Sequence, residues 1–318
     1  MRMRSGSTAA VLLTTLLVAA GAGAEDAPVA RTVTGEPLHP APLAASARAR
    51  LEENLARARA AHEDDPDEAN TIWLGRRLAY LQRYPEALAV YDAGLERFPD
   101  SYRLLRHKGH RHISRREFDL AVDALSRAWA LMPKDVTETE PDGIPNALGV
   151  PLSNTQFNVL YHLALAYYLQ GDYAAAAGVW QECLDYSPNP DLLVATTDWL
   201  WMSLMRLGRE AEAERVLAAI TPDLEVIEND AYLRRLRMYR GELEPQALLE
   251  TDADARDRAL ALATQGYGVA NWYWVNGEPE RAAAMWEEIR ETGSWAAFGY
   301  IAAEVDRARH RAAIDAGR

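Results

Sequence analysis

Small and apolar residues recur along this chain at the spacing of one helical hairpin. The stretches between them show helical periodicity and are separated by short polar turns. Six alanines mark the period, with steps of 34, 55, 37, 34 and 35 residues: Ala87, Ala121, Ala176, Ala213, Ala247 and Ala282. A 34-residue period in a polar, helix-rich chain is typical of stacked helical repeats, so the pattern predicts an all-α solenoid.

The first two repeats agree position by position. A small residue on each helix lets two antiparallel helices cross closely, an aromatic after the turn fills the space beside the crossing, and a proline ends the second helix. The first repeat supplies Gly75, Tyr84, Ala87, Tyr91, Gly94 and Pro99, and the second supplies Gly109, Phe118, Ala121, Leu125, Ala128 and Pro133, each 34 residues later. These positions are interpreted as structural.

The third repeat carries the same pattern in Ala164, Tyr167, Gly171, Tyr173, Ala176, Trp180, Cys183 and Pro188. The pattern resembles the tetratricopeptide repeat, a helix–turn–helix unit of 34 residues. The resemblance implies a right-handed superhelix of antiparallel helix pairs, with about six repeats over residues 67–292 and a capping helix at each end. It is strong in three repeats and loose in the fourth and fifth. Trp201 stands where the fourth repeat needs a small residue, which predicts a wider crossing there.

The repeats divide the chain into segments. We expect an extended linker at 25–43, an N-terminal capping helix at 44–66, repeats 1 and 2 at 67–135, an inserted loop at 136–156, repeats 3 to 6 at 157–292 and a polar, solvating C-terminal capping helix at 293–318. The inserted loop accounts for the 55-residue step, since it adds 21 residues to one repeat. Two interpretations of it remain open: a flexible acidic excursion, or an ordered loop that walls the concave groove or contacts the ligand.

The first 24 residues predict a secretory signal peptide. Arg2 and Arg4 precede a short apolar stretch at 11–20, and Ala22-Gly23-Ala24 follow as a small-residue cleavage site. The apolar stretch is too short to span a bilayer comfortably, and no later stretch approaches that length. We therefore expect an exported protein, periplasmic after cleavage near Ala24.

The net charge of the chain limits the classes of partner that we expect. The chain carries a formal net charge of −13, and removal of Arg2 and Arg4 leaves 32 basic against 47 acidic side chains, or −15. Such a surface repels phosphate backbones and anionic lipids, so nucleic acid is not an expected partner. A cationic peptide or a basic protein patch suits the net charge better, and solubility alone is the alternative explanation.

The repeat pattern also predicts which side chains line the concave groove. The face concerned is cationic toward the N terminus, where arginines are suited to bidentate contacts with carboxylates, and aromatic toward the C terminus, where rings can stack on a ligand. Core filling between repeats is the alternative for any single aromatic. The predicted groove residues are Arg76, Tyr80, Arg103, Arg106, His110, Asn158, Tyr161, Tyr168, Met202, Arg206, Tyr267, Asn271 and Trp274.

No catalytic set, cofactor site or metal site is predicted. The chain lacks a Gly-rich phosphate loop, a Gly-x-Ser-x-Gly elbow and a His-Glu-x-x-His pair. His107 and His110 share a helix face and His162 is a conceivable third ligand, but the neighbouring arginines disfavour a cation. Cys183 is the only cysteine, which excludes an internal disulfide, and its place on a second helix predicts a buried, unreactive thiol.

These observations predict a non-catalytic scaffold of the cell envelope that holds another protein or peptide in its groove. The alternative is a small-ligand or metal-binding protein or enzyme that uses the arginine and histidine side chains, with the 136–156 loop as a lid. Export and the Ala- and Arg-rich usage suggest a bacterial source. The sequence sets neither the partner nor the oligomeric state, and the functional inference rests on analogy of fold.

Overall fold

The computed structural model describes residues 27–141, 146, 148–250 and 255–316; the predicted signal peptide lies outside them. Within this part the chain is almost entirely helical. The helices run in series: α1 (Ala45–Asp64), α2 (Glu68–Tyr80), α3 (Tyr84–Arg97), α4 (Tyr102–Ser114), α5 (Phe118–Leu131), α6 (Thr155–Gln170), α7 (Tyr173–Leu184), α8 (Pro190–Arg206), α9 (Glu210–Leu217), α10 (Asp230–Tyr239), α11 (Pro245–Leu249), α12 (Ala255–Val275), α13 (Pro279–Glu291) and α14 (Phe298–Ala316).

Nearly every helix packs on the next along the chain, and α10 packs on α8 instead of α9, so the fold is the predicted helical solenoid. The helix pairs α2/α3 through α12/α13 form six repeats, with α1 and α14 at the ends. Asp67, Ser101, Asn154 and Asn189 cap the first helices of the first four repeats by accepting a hydrogen bond from a backbone N–H three residues on, which satisfies an otherwise unpaired donor.

The helix crossings are as close as the small residues allow. Ala87 and Ala121 are fully buried. A Cβ on Gly75 would lie 2.2 Å from the ring of Tyr91. A Cβ on Gly109 would lie 2.4 Å from Leu125. In each repeat the glycine therefore packs against the residue one turn after the alanine, and not against the alanine itself.

The fourth and fifth repeats have short second helices, of 8 residues in α9 and 5 residues in α11. Trp201 stacks on Tyr239 at the end of α10, with ring centroids 3.7 Å apart and an 8° angle between the planes. The large residue at the small position of the fourth repeat therefore packs against the fifth.

The turns within the repeats use the left-handed backbone region. Glycine occupies this position in the last four repeats, at Gly171, Gly208, Gly241 and Gly277. In the first two repeats the position holds Gln82, with φ 59°, and Arg116, with φ 65°. Side chains with a Cβ are disfavoured there, and both residues make long-range contacts.

The first described segment contacts the C-terminal part of the solenoid. The segment predicted as an extended linker contains a short antiparallel hairpin, β1 (Ala30–Arg31) and β2 (Pro37–Leu38). Trp295 Nε1 donates a hydrogen bond to the carbonyl of His39, 3.0 Å away. The backbone N–H of Ala41 donates to Gln82 Oε1 at 2.8 Å. The N-terminal segment is therefore held against the first repeat and against the turn that precedes α14.

The C-terminal helix differs from the predicted solvating cap. One face of α14 packs on α12 and α13, where Ile301, Ala302 and Val305 are buried. The helix also reaches across the concave side to earlier repeats. Arg309 Nη2 donates to the carbonyl of Leu169 in α6 at 2.8 Å. Its polar residues are thus used for internal contacts, which their charge alone did not indicate.

Candidate functional site

The C-terminal half of the predicted groove is interior in this structure. Buried side chains from different repeats form hydrogen bonds with each other. The hydroxyls of Tyr168 and Tyr267 lie 2.7 Å apart, and Trp199 Nε1 donates to the Tyr161 hydroxyl at 2.8 Å. The predicted groove residues that are buried are Arg106, Asn158, Tyr161, Tyr168, Met202, Tyr267 and Asn271. An open aromatic groove is therefore absent from the described part of the molecule.

Helix α14 supplies the partners of several other predicted groove residues. Arg206 Nη2 donates to Asp306 Oδ2 at 2.6 Å, with both side chains almost fully buried. Tyr267 donates to the same carboxylate oxygen at 3.0 Å, and Trp274 packs on the ring of His310, with centroids 4.0 Å apart. The side chains predicted to hold a ligand here bind the chain's own last helix.

The histidines form a small aromatic cluster. The rings of His110 and His162 have centroids 4.2 Å apart, and Phe298 of α14 packs beside both. Burial, reinforced by nearby arginines, lowers the pKa of His107, His110 and His162 well below its ordinary value. The rings are consequently neutral at pH 7.

The nitrogens of this cluster have protein partners. His162 Nδ1 donates to the carbonyl of Asn158 at 2.5 Å, and Arg106 Nη1 donates to His107 Nδ1 at 3.0 Å. In the described residues, no three His, Cys, Asp or Glu side chains come close enough together to hold a metal ion. Cys183 is fully buried, and burial raises the pKa of its thiol to about 12.

The N-terminal part of the predicted groove remains open. A cavity of about 260 Å³ lies between α2, α4 and the inserted loop; we call it the N-terminal cleft. Arg76 of α2 and Arg103 of α4 both line this cleft. The lining residues are Glu68, Ala69, Ile72, Trp73, Arg76, Arg103, His107, Glu138, Glu140, Pro141 and Thr155.

The inserted loop neutralises two of the arginines. Glu138 holds Arg103 through both carboxylate oxygens, at 2.6 and 2.7 Å, and Glu140 pairs with buried Arg106 at 2.9 Å. Residues 136–141 therefore lie against α4, as in the ordered interpretation of the loop. The carboxylate partners expected from a ligand are supplied by the chain itself.

Arg76 differs from these neighbours. Its guanidinium packs over the ring of Trp73, 4.3 Å from the centroid, and Nη2 lies 3.4 Å from the Tyr80 hydroxyl. No carboxylate of the described residues lies within ion-pair distance of Arg76. This cationic group and the adjoining Trp73 and Ile72 give the cleft one free charge beside an apolar wall.

Of the residues that line the cleft, sequence reasoning identified Arg76 and Arg103 as groove residues but not Trp73, Glu68, Glu138 or Glu140. Tyr80, also predicted, lies beside Arg76. Trp73 could have been found from its position on the first helix of its repeat, directly before Leu74 and Gly75. The two glutamates belong to the insertion, whose path across α4 depends on contacts distant in sequence.

The family model of the tetratricopeptide repeat matches residues 157–190, the third repeat. The sequence matches none of the curated proteins. Among solved structures, the crystal structure of YrrB, described as a TPR protein with an unusual peptide-binding site, aligns with a TM-score of 0.41 and 16% sequence identity, over 74% of this chain and 91% of that one.

The match identifies residues 157–190 as a tetratricopeptide repeat, and the serial helix pairs on either side of it continue the same helical solenoid. Proteins of this class bind peptides or other proteins and are generally non-catalytic. The fold accordingly supports a protein-binding scaffold. No helix of the described residues has the length and apolar character needed to cross a bilayer.

Proposed function

We propose that this protein is a non-catalytic scaffold that binds another protein or a peptide at the N-terminal cleft. The observation that carries the proposal is the combination of Arg76, which has no ion-pair partner in the described residues, with the apolar wall of the cleft formed by the half-buried Trp73 and the buried Ile72. The rest of the predicted groove is filled by side chains of the repeats and by α14, so the cleft is the accessible part of that face.

The cleft is small. Its volume of about 260 Å³ lies near the lower end of the roughly 300–1,000 Å³ of small-molecule sites. A cavity of that size accommodates one anchoring side chain of a larger partner. Aromatic and arginine side chains around such a pocket are the residue types that contribute most to protein–protein binding energy.

The proposal includes a location outside the cytoplasm, in the cell envelope, with the mature chain beginning at Glu25. It is supported by the basic start, apolar stretch and small-residue exit of residues 1–24. N-terminal sequencing of the protein isolated from the envelope fraction of its own organism tests this part. A chain that retains Met1 in the cytoplasmic fraction would contradict it.

Site-specific photo-crosslinking tests the binding surface. A photoreactive phenylalanine analogue replaces Trp73 in the cleft or, as a matched control, the half-exposed Leu120 on α5. We expect irradiation of living cells to attach a defined partner at position 73 and not at position 120. Equal labelling at both positions, or labelling at 120 alone, would assign the partner to a different surface.

A further inference from the structure

The two glutamates of the inserted loop lie on an extended stretch of chain. Thr139 forms an antiparallel bridge with Asn154, the Glu140 N–H donates to the carbonyl of Ser153 at 3.1 Å, and the Thr155 N–H donates to the carbonyl of Glu138 at 2.8 Å. Alternate residues of an extended chain point to the same side. Glu138 and Glu140 therefore face α4 together, as an acidic peptide laid across the helix would.

Their partners on α4 are also spaced for this contact. Arg103 and Arg106 are three residues apart and share one face of the helix. The Arg103 guanidinium, which forms two hydrogen bonds to Glu138, holds the pKa of that carboxyl below its ordinary value. Tyr102 adds a hydroxyl that donates to Glu138 at 2.8 Å. The arrangement is a recognition site for two carboxylates on one extended segment.

The internal segment fills this site incompletely. Glu140 Oε2 and Arg106 Nε are buried and have no hydrogen-bond partner, and a buried pair with unsatisfied atoms contributes little net stability. The side chains of Arg103 and Glu138 are 39% and 32% exposed, and pairs of that exposure are worth about 0–1 kcal/mol. Displacing the side chains of Glu138 and Glu140 thus costs little ion-pair energy, provided that other carboxylates replace them; a replacing extended segment would also have to take over the backbone hydrogen bonds to Ser153 and Thr155.

An incoming segment would gain a contact that the loop does not make. Arg76 lines the same cleft as Arg103 and Glu138, and none of the described carboxylates pairs with it. Three arginines are therefore within reach of one cleft, and the loop's two glutamates occupy two of them. Glu68 of α2 also pairs with Arg103, at 3.1 Å, so three carboxylates balance the three arginines while the loop is in place. Once the two loop glutamates are displaced, only Glu68 remains, and the cleft has a positive charge, opposite in sign to that of the whole chain, whose net charge alone favoured a cationic partner.

We infer that residues 138–140 act as an internal acidic ligand, and that the partner presents an extended segment with alternate acidic residues that replaces them on Arg103 and Arg106 and adds a contact to Arg76. This inference rests on the proposed function and specifies the partner's chemistry. It also gives the insertion a role, since the internal segment excludes peptides that lack the matching carboxylates.

Binding of the loop's own sequence in trans tests the inference. The probe is a peptide of residues 136–141, Val-Thr-Glu-Thr-Glu-Pro, acetylated and carrying an uncharged fluorophore. The control probe has glutamine in place of both glutamates. The proteins are the full chain and its Glu138→Gln/Glu140→Gln variant, whose loop keeps its shape but loses both charges. Circular dichroism and thermal unfolding verify that each variant is folded.

We expect the double variant to bind the acidic probe at least tenfold more tightly than the natural chain does, because its arginines are released. Addition of Arg76→Gln should remove part of that gain, and neither protein should prefer the glutamine probe. Should the double variant fail to fold, Glu138→Gln alone should give a smaller gain in the same direction. A loss of fold cannot imitate a gain of binding.

Equal affinity of the natural and double-variant proteins for the acidic probe would overturn the inference, as would equal binding of the two probes. The proposed function is judged separately by photo-crosslinking at position 73. A partner captured there without any gain in peptide binding would leave the scaffold in place and refute the acidic segment. A gain in peptide binding without a captured partner would support the site chemistry and contradict the proposed docking surface.

Discussion

Arg116 and Glu304 form a buried ion pair between the second repeat and the last helix, with Arg116 Nη2 2.9 Å from Glu304 Oε2 and side chains only 2% and 9% exposed. They are 188 residues apart in sequence. Glu304 also accepts a hydrogen bond from the Val33 N–H at 2.8 Å, and Arg116 donates to the Trp295 carbonyl at 2.9 Å. This contact joins the N-terminal segment, the repeats and α14.

Replacement of Arg116 by glycine changes the free energy of unfolding in two opposing ways. Glycine relieves the left-handed backbone at φ 65°, which is worth about 1–2 kcal/mol, but it leaves Glu304 buried without its cation, which costs about 3–5 kcal/mol. We expect Arg116→Gly to lower the free energy of unfolding by about 1–4 kcal/mol, measured in urea. Gln82→Gly, which loses one uncharged hydrogen bond, should change it by about 1 kcal/mol or less. An Arg116→Gly protein as stable as the natural chain would show that the pair does not hold the ends together.

The close helix crossings give a second prediction. Gly75→Ala and Gly109→Ala would place a Cβ 2.2 Å from Tyr91 and 2.4 Å from Leu125, and overpacking of this kind costs about 1–3 kcal/mol. The matched control is Gly178→Ala on α7, where a Cβ meets nothing within 4 Å; there alanine should stabilise the helix by up to about 1 kcal/mol. Thermal unfolding of the three variants provides the comparison. Equal effects at all three glycines would rule out a steric role for the first two.

The buried histidines make stability depend on pH. Their pKa values are lower in the folded chain than the ordinary 6.5, so the unfolded chain binds protons first. Their contribution is complete above pH 6.5 and is lost as the pH falls toward the folded values. The free energy of unfolding should decrease below pH 6.5 by about 1.4 kcal/mol per pH unit for each histidine.

His162→Gln tests the histidine prediction, because glutamine keeps a donor for the Asn158 carbonyl and cannot be protonated. Urea unfolding between pH 7.5 and 5.5 should show a shallower loss of stability for this variant than for the natural chain. His39→Gln, at an exposed position, should leave the slope unchanged. Parallel pH curves for all three proteins would contradict protonation of the buried cluster as the cause.

The repeated part of the fold was predictable because helix crossings impose a local and periodic requirement. Gly75, Ala87 and their counterparts 34 residues later follow from the need to bring two helices close, and the structure contains the predicted helix pairs, although Gly75 meets Tyr91 and not Ala87. The contacts of α14 were not predictable in that way. Asp306 and Glu304 read as solvated charges on a polar helix, and only the curvature of the whole array brings them to Arg206 and Arg116.

The candidate site shows the same division. Arg76 and Arg103 were predicted from their place on the first helices, since the concave face follows from the repeat. The ion pairs of Arg103 and Arg106 with the loop's glutamates were not predictable, because the inserted loop lies outside the repeat period. Its glutamates reach α4 through a bridge between Thr139 and Asn154. That Arg76 contacts a partner stays a prediction.

The affinity of the captured partner for two charge-reversed variants tests the scaffold proposal most directly. Arg76→Glu reverses the unpaired charge of the N-terminal cleft, and Arg215→Glu makes the same change at an exposed position on α9. Isothermal titration should show binding weakened at least tenfold by Arg76→Glu and altered less than twofold by Arg215→Glu, with both variants folded. Unchanged affinity of the Arg76→Glu protein would contradict binding at this cleft.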